Sequence, residues 1–182
     1  MARLTIDGYG QVELNNVAFR RDGRIEAQCK PDTTDFATAK VENGMILAVD
    51  NINRTVALAT DSTAPFPLAL VYSAEHMYDE RTPGLKNFAL NGKDDFLPRL
   101  GYLAVGDKFT TNCVSYTGYA NDSAFKTALD SIATTPLYGG VSADGSVAVA
   151  STRPSWGPVL LVTKKTTMPD GQLGIKFQVI AD

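Results

Sequence analysis

Apolar and polar residues alternate in short runs along most of this chain, and turn-forming dipeptides separate the runs. Patterning with a period of two is that of half-buried β-strands. The clearest stretch is Gly44 to Tyr72, where the run Met45–Val49 ends in a polar Asp50-Asn51-Ile52-Asn53 break. A second run, Thr55–Ala59, leads through a Pro65-Phe66-Pro67 corner into a third, Leu68–Tyr72. Proline lacks the amide hydrogen that a β ladder uses, so Pro65 and Pro67 belong to an edge or a corner. Further on, Leu100–Val105 and Lys108–Tyr116 flank a Gly106-Asp107 turn and read as a hairpin. Val141–Val149 is broken at Asp144-Gly145, Pro158–Lys164 is apolar, and Met168-Pro169-Asp170-Gly171 is a strong turn signal. In the final run, Gly174–Ile180, the side chains of Ile175, Phe177 and Val179 share one face. The carboxy-terminal part therefore reads as a β meander that closes the sheet.

One segment carries the helical period instead. Asn121-Asp122-Ser123 supplies an N-cap, and Phe125, Ala128, Leu129 and Ile132 fall on one face. The spacing predicts a short helix near 122–134 that stops before Pro136.

Residues 1–43 differ from the rest. Short strand-like pieces (Leu4–Ile6, Gln11–Leu14, Val17–Phe19) sit among glycine and asparagine. Arg20-Arg21-Asp22-Gly23-Arg24 is a charged turn, followed by alternation over Ile25–Cys29 and a polar, turn-rich stretch to Glu42. This region is expected to be an extended arm with a hairpin, or a pair of edge strands that docks on the main domain. The expected fold is thus mainly β: a compact sandwich or barrel-like domain over 44–182, one short helix, and an amino-terminal arm or hairpin over 1–43.

Composition narrows the functional classes. The 182 residues suffice for one well-buried domain, and 44% hydrophobic with 20% charged residues is an ordinary globular balance. The net charge of −3 comes from 17 basic and 20 acidic residues mixed along the chain, and up to Asn43 six basic residues face seven acidic ones. A nucleic-acid partner is not expected from that distribution. No apolar run approaches the roughly 20 residues of a membrane helix, so no membrane partner is expected either. Met1–Gly8 lacks the apolar centre of a signal peptide, and synthesis as a soluble cytosolic chain is expected. Asn53-Arg54-Thr55 and Asn121-Asp122-Ser123 match the glycosylation sequon and, without a secretory signal, read as turn chemistry. The two cysteines, Cys29 and Cys113, lie far apart and read as buried thiols, with a single disulfide as the alternative.

Chemistry-bearing patterns are sparse. His76 is the only histidine, so any His-dependent mechanism must use it, together with Glu75, Asp79, Glu80 or Arg81 nearby. A zinc site needs three or four ligands, and no second histidine exists. Gly139-Gly140 and Gly8-Tyr9-Gly10 lack the lysine and the spacing of a phosphate loop. Asp50, Asn51 and Asn53 resemble the start of a calcium loop, but its glycine and distal glutamate do not follow, which leaves a turn. No catalytic residue, cofactor or metal is assigned. Tyr116, Tyr119 and Trp156 read as core or interface aromatics rather than as a stacking platform. Candidate interface residues are Arg20, Arg21 and Arg24 in the charged turn and Trp156 beside the Gly157-Pro158 bend.

On these residues the chain resembles virion structural proteins of tailed bacteriophages. Ile46–Asp50, the turn Asn51–Arg54, Thr55–Ala59 and Leu68–Val71 resemble the strand–turn–strand unit of head decoration proteins of the phage lambda type. The likeness covers under a fifth of the chain, which is also longer than that family, especially over 73–158. What it implies is a non-enzymatic cement protein on the capsid surface, made in the host cytoplasm. Its partners would be the major capsid protein and neighbouring copies of itself in a trimer or local multimer, and its arm would add to a neighbour's sheet. A tail, connector or fibre-associated β module is the alternative within the virion. A small hydrolase or carbohydrate-binding domain is the alternative of another class.

Overall fold

A computed structural model describes residues 9–60, 66–73 and 97–181. It is mainly β, with two mixed sheets and, among the described residues, two short helices. The first sheet has seven strands. From one edge to the other they are β1 (Val12–Asn16), β8 (Lys108–Thr111), β13 (Leu173–Ala181), β12 (Val159–Thr167), β10 (Tyr138–Val141), β11 (Val147–Ala150) and β9 (Val114–Tyr116). The second has six, in the order β2 (Ile25–Glu26), β7 (Leu100–Gly101), β6 (Leu68–Val71), β4 (Ile46–Asp50), β5 (Thr55–Ala57) and β3 (Lys30–Pro31). All neighbours run antiparallel except β11 with β9 and β5 with β3, so the parallel pair of each sheet lies at an edge. Neither sheet closes on itself, which leaves the sandwich form of the expected fold and removes the barrel.

The core explains why β4 is apolar throughout. All five of its residues, Ile46 to Asp50, are buried, which requires cover on both faces. Ile46 and, on β6, Leu70 point into a large cluster with Phe109, Val147, Leu160, Ile175 and Phe177 of the seven-stranded sheet. Their neighbours Leu47, Val49, Ala69 and Val71 point the other way, into a second cluster with Cys29, Phe36 and Val41. The six-stranded sheet is therefore the middle layer. One face packs on the other sheet, and the other is covered by the chain from Cys29 to Val41.

This arrangement corrects the arm for the part of 1–43 that is described. Strands β1, β2 and β3 are edge strands of the two sheets, and Phe19 and Phe36 are fully buried. Gln11 is tied down from several sides: its amide donates to Asn112 Oδ1 at 2.6 Å, and its carbonyl accepts from Thr111 Oγ1 at 2.6 Å. The docked form wins because detaching these residues would expose both clusters to water. The piece Leu4–Ile6 lies outside the described residues.

Two local expectations change as well. Val17–Phe19 forms no strand; Val17 precedes α1 (Ala18–Asp22), one helical turn closed by Gly23 at φ 70°. The start of α1 is held from a distance, because the Ala18 amide donates to Asp107 Oδ1 at 2.7 Å. Likewise 100–105 and 108–116 make no hairpin. Strand β7 pairs with β6 and β2, whereas β8 pairs with β1 and β13, so the chain crosses from one sheet to the other between them.

The second helix, α2 (Asp122–Asp130), has the predicted start and face. Asn121 Oδ1 accepts from the Ala124 amide at 3.0 Å, and Phe125 and Leu129 are buried. It ends four residues earlier than 134, at a Ser131 whose backbone has left the helical region. β-Branched Ile132, Thr134 and Thr135 ahead of Pro136 disfavour continuation. Replacing Asn121 by Ala is expected to cost about 1 kcal/mol of stability, the usual worth of an N-cap. Thermal or urea unfolding measures it, and Asn121→Asp should restore most of the loss.

Asp50 ends β4 as a turn residue. Its carboxylate accepts from the amides of Ile52 (2.8 Å) and Asn53 (3.0 Å) and from Asn53 Nδ2 (2.7 Å). The Asn53 amide above all, with the Asn53 side chain and the Ile52 amide, holds its pKa below the ordinary 3.8 against an opposing effect of burial. Asn53 and Asn121, both in sequons, thus serve a turn and a cap.

Candidate functional site

Among the described residues no group of three or more His, Cys, Asp and Glu side chains is placed to hold a metal ion. His76 and its acidic neighbours lie outside the described residues. The aromatic pair is packed rather than presented: Tyr116 stacks on Phe125 of α2 with ring centroids 4.6 Å apart, and Tyr119 meets Tyr116 edge-on at 6.2 Å. Trp156 is half-buried in the loop between β11 and β12.

The cysteines are free thiols, both buried. Burial pushes Cys113 up to about 12, helped by the nearby charges of Glu42 and Asp144. Cys29 is pushed up to about 11, first by burial and then by Glu26. Since the thiolate is the reacting species, iodoacetamide at pH 8 is expected to label neither thiol in the folded protein and both in urea. Mass spectrometry reads the outcome, and rapid labelling of the native protein would contradict it.

The most site-like feature lies where α1 meets the end of β6. A groove of about 590 Å³ is lined by Val12 and Leu14 of β1, Arg20 of α1, Ile25 of β2, Asn43, Tyr72, Ser73 and Arg99. Local bonding holds its walls. The Tyr72 amide donates to the Arg99 carbonyl at 2.9 Å, and the Arg99 amide to Ser73 Oγ at 3.0 Å. Asn43 Nδ2 donates to the Ser73 carbonyl at 3.0 Å, which orients the amide and leaves Oδ1 facing away. The Tyr72 ring rests on Phe19, centroids 4.9 Å apart.

Among the described residues, two polar atoms of the groove's lining residues are buried without a hydrogen bond of good geometry, Asn43 Oδ1 and the Tyr72 hydroxyl. Their residues are only 5% and 9% exposed. Leaving such a group unpaired costs about 1–3 kcal/mol, so their coincidence in one groove needs a reason. Burial raises the Tyr72 phenol above its ordinary 10.0, while the charges of Arg99 and Arg20, and a weak side-chain hydrogen bond from Arg99, pull it the other way. The approach of Arg99 falls outside good hydrogen-bond geometry, so the hydroxyl is left without a well-formed bond.

Of the interface residues expected from sequence, only Arg20 lines this groove. Arg21 is exposed and pairs with Asp22 at 3.0 Å. Arg24 is half-buried, 4.0 Å from Asp107, with its Nε unpartnered. Asn43, Tyr72, Ser73 and Arg99 carry no sequence signal for a site; the first two merely flank and end the apolar unit. No protein-family model matches the chain, and no curated protein matches it.

Proposed function

We propose that this protein is a non-enzymatic decoration or cement protein of a tailed-phage capsid, binding the outer shell and stabilising the head. The observation that carries the reading is the placement of the strand–turn–strand unit. Strands β4, β5 and β6 are contiguous at the centre of the six-stranded sheet, with the Asp50–Arg54 turn between the first two. The resemblance rests on that unit, and here it is the framework on which the other layers pack. The partners are the major capsid protein and neighbouring copies of the chain, in a trimer or local multimer on the virion surface.

The mechanism is multivalent. Many modest contacts repeated over a shell give an avidity that a single contact lacks. Residues 9–31 are docked within the chain, so β1, β2 and β3 would take part in such contacts as edge strands of the folded domain rather than as a detached arm. Among the described residues, the sheet edges β1, β2, β3 and β9 are places where a partner strand can add.

Mixing the purified protein with undecorated capsids and imaging them by electron microscopy tests the reading. Saturable density on the shell faces, with a raised temperature of capsid disruption, is the expected result. Density confined to a vertex or tail would move the protein to a connector or fibre role, and none at all would reject a capsid role. His76→Ala is expected to leave shell binding unchanged.

A further inference from the structure

We propose that the groove between α1, β1 and the end of β6 is a binding site for a carboxylate-bearing, extended segment of a partner protein. Three observations converge on that chemistry. Arg20 and Arg99 put two guanidinium groups on one groove, which suits an anion, and guanidinium favours carboxylate or phosphate through paired N–H donors. The buried Tyr72 hydroxyl makes no hydrogen bond of good geometry, lies beside Arg99, and can donate to the same anion. Asn43 Oδ1, equally buried and unpartnered, can only accept, so the ligand must also bring a donor.

A peptide meets all three demands at once. A Glu or Asp side chain supplies the carboxylate for Arg20, Arg99 and Tyr72, and a backbone N–H supplies the donor for Asn43. A phosphomonoester dianion has no donor for Asn43, and inorganic phosphate, whose P–OH can donate, leaves the apolar side chains of Val12, Leu14 and Ile25 uncovered, which disfavours both. The apolar side chains of Val12, Leu14 and Ile25 on the same walls suit the alternate apolar residues of an extended strand. Strand β1 is the outer edge of the seven-stranded sheet, and among the described residues no strand pairs with its other side, where such a strand can add. As a contact with a shell subunit, the inference rests on the decoration reading. As a carboxylate site it does not, and its test needs no capsid.

Isothermal titration of the full chain with the capped peptide acetyl-Val-Glu-Val-Glu-Val-amide tests it, with the Gln-for-Glu peptide, free acetate and inorganic phosphate as comparisons. The acidic peptide should bind at least tenfold more tightly than its Gln counterpart and more tightly than acetate or phosphate. Arg20→Gln and Arg99→Gln should each weaken it about tenfold, and Tyr72→Phe several-fold, since charge-assisted hydrogen bonds are the strong ones. Lys164→Gln on β12 removes one charge outside the groove and should leave the affinity unchanged. Tyr72→Phe should also retain or raise the unfolding midpoint, because it removes an unpaired buried hydroxyl; that keeps the binding result separate from folding. Equal affinity for the acidic and Gln peptides, no binding at millimolar peptide, or weakening by Lys164→Gln equal to that by Arg99→Gln would each overturn the site. Acetate or phosphate binding as tightly as the peptide would overturn the peptide ligand. If the peptide binds as expected and capsids do not, the site stands and the decoration role falls.

Discussion

Phe177→Ala is expected to destabilise the protein by about 4 kcal/mol, the middle of the range for truncating a buried aromatic. Phe177 is fully buried in β13, the strand that pairs with both β8 and β12. Its register partners are Phe109 on one side and Val162 on the other, and its ring lies 5.6 Å from that of Phe109. It also covers Gly139 of β10, where an added Cβ would come within 3.0 Å of the ring edge. The ring therefore fills space across four strands whose backbones are held by ladders. Little of that space can collapse when the ring is removed, so the cavity cost adds to the lost transfer energy. Urea unfolding should show a lower midpoint with an unchanged slope, and Phe177→Leu should recover more than half of the loss. A cost below about 1.5 kcal/mol would mean that this is not the rigid centre of the core.

Asp107→Ala should cost about 3 kcal/mol, with the loss arising from two stranded amides rather than from a broken ion pair. Asp107 is 3% exposed and sits where the chain crosses between the sheets. Its Oδ1 accepts from Ala18 at the start of α1 (2.7 Å), and its Oδ2 from Ala104 in the crossing turn (2.9 Å). Its own backbone bonds to Val179 of β13, so one residue joins the amino-terminal segment, the crossing and the central strand pair. Arg24 is 4.0 Å from the carboxylate with its side chain 36% exposed, and a pair of that kind contributes little. Arg24→Gln is accordingly expected to cost under about 1 kcal/mol. Hydrogen exchange provides the local test: the Ala18 and Ala104 amides should lose protection in Asp107→Ala and keep it in Arg24→Gln. Equal losses in the two variants would assign the effect to the ion pair instead.

The same residue shows why part of the fold was hidden. Gly106-Asp107 reads as a hairpin turn because the apolar runs on either side look alike. Nothing in those runs says that one belongs to each sheet. The partners of Asp107, Ala18 most of all, are distant in sequence, and side-chain hydrogen bonds of that kind have no local period. Val17–Phe19 fails for the same reason. Its alternation suits a strand, but a buried acceptor at its amide end and Gly23 after it select a helical turn.

The groove was hidden more completely. Asn43, Tyr72, Ser73 and Arg99 belong to separate stretches, and each has an ordinary local role as a turn, strand or corner residue. Only Arg20 stood out, as part of a charged cluster whose other members, Arg21 and Arg24, make contacts with Asp22 and Asp107. A buried hydroxyl without a partner is a property of three-dimensional packing, and no residue spacing encodes it.

What the sequence by itself determined is therefore local. The apolar runs at 45–49, 68–72 and 158–164, the alternation at 55–59 and 174–180, the Asp-Gly turns at 144–145 and 170–171, and the capped helix at 122 follow from backbone sterics and side-chain bonding within a few residues. What only the tertiary structure decided is which face meets which layer. Strand β4 could be read as apolar, but its burial on two sides required the stretch from Cys29 to Val41 as a cover, and that stretch looks polar and turn-rich on its own. Hydrophobic burial is non-directional. It specifies that a face must be covered and leaves the choice of cover, and the groove that results, to the folded chain as a whole.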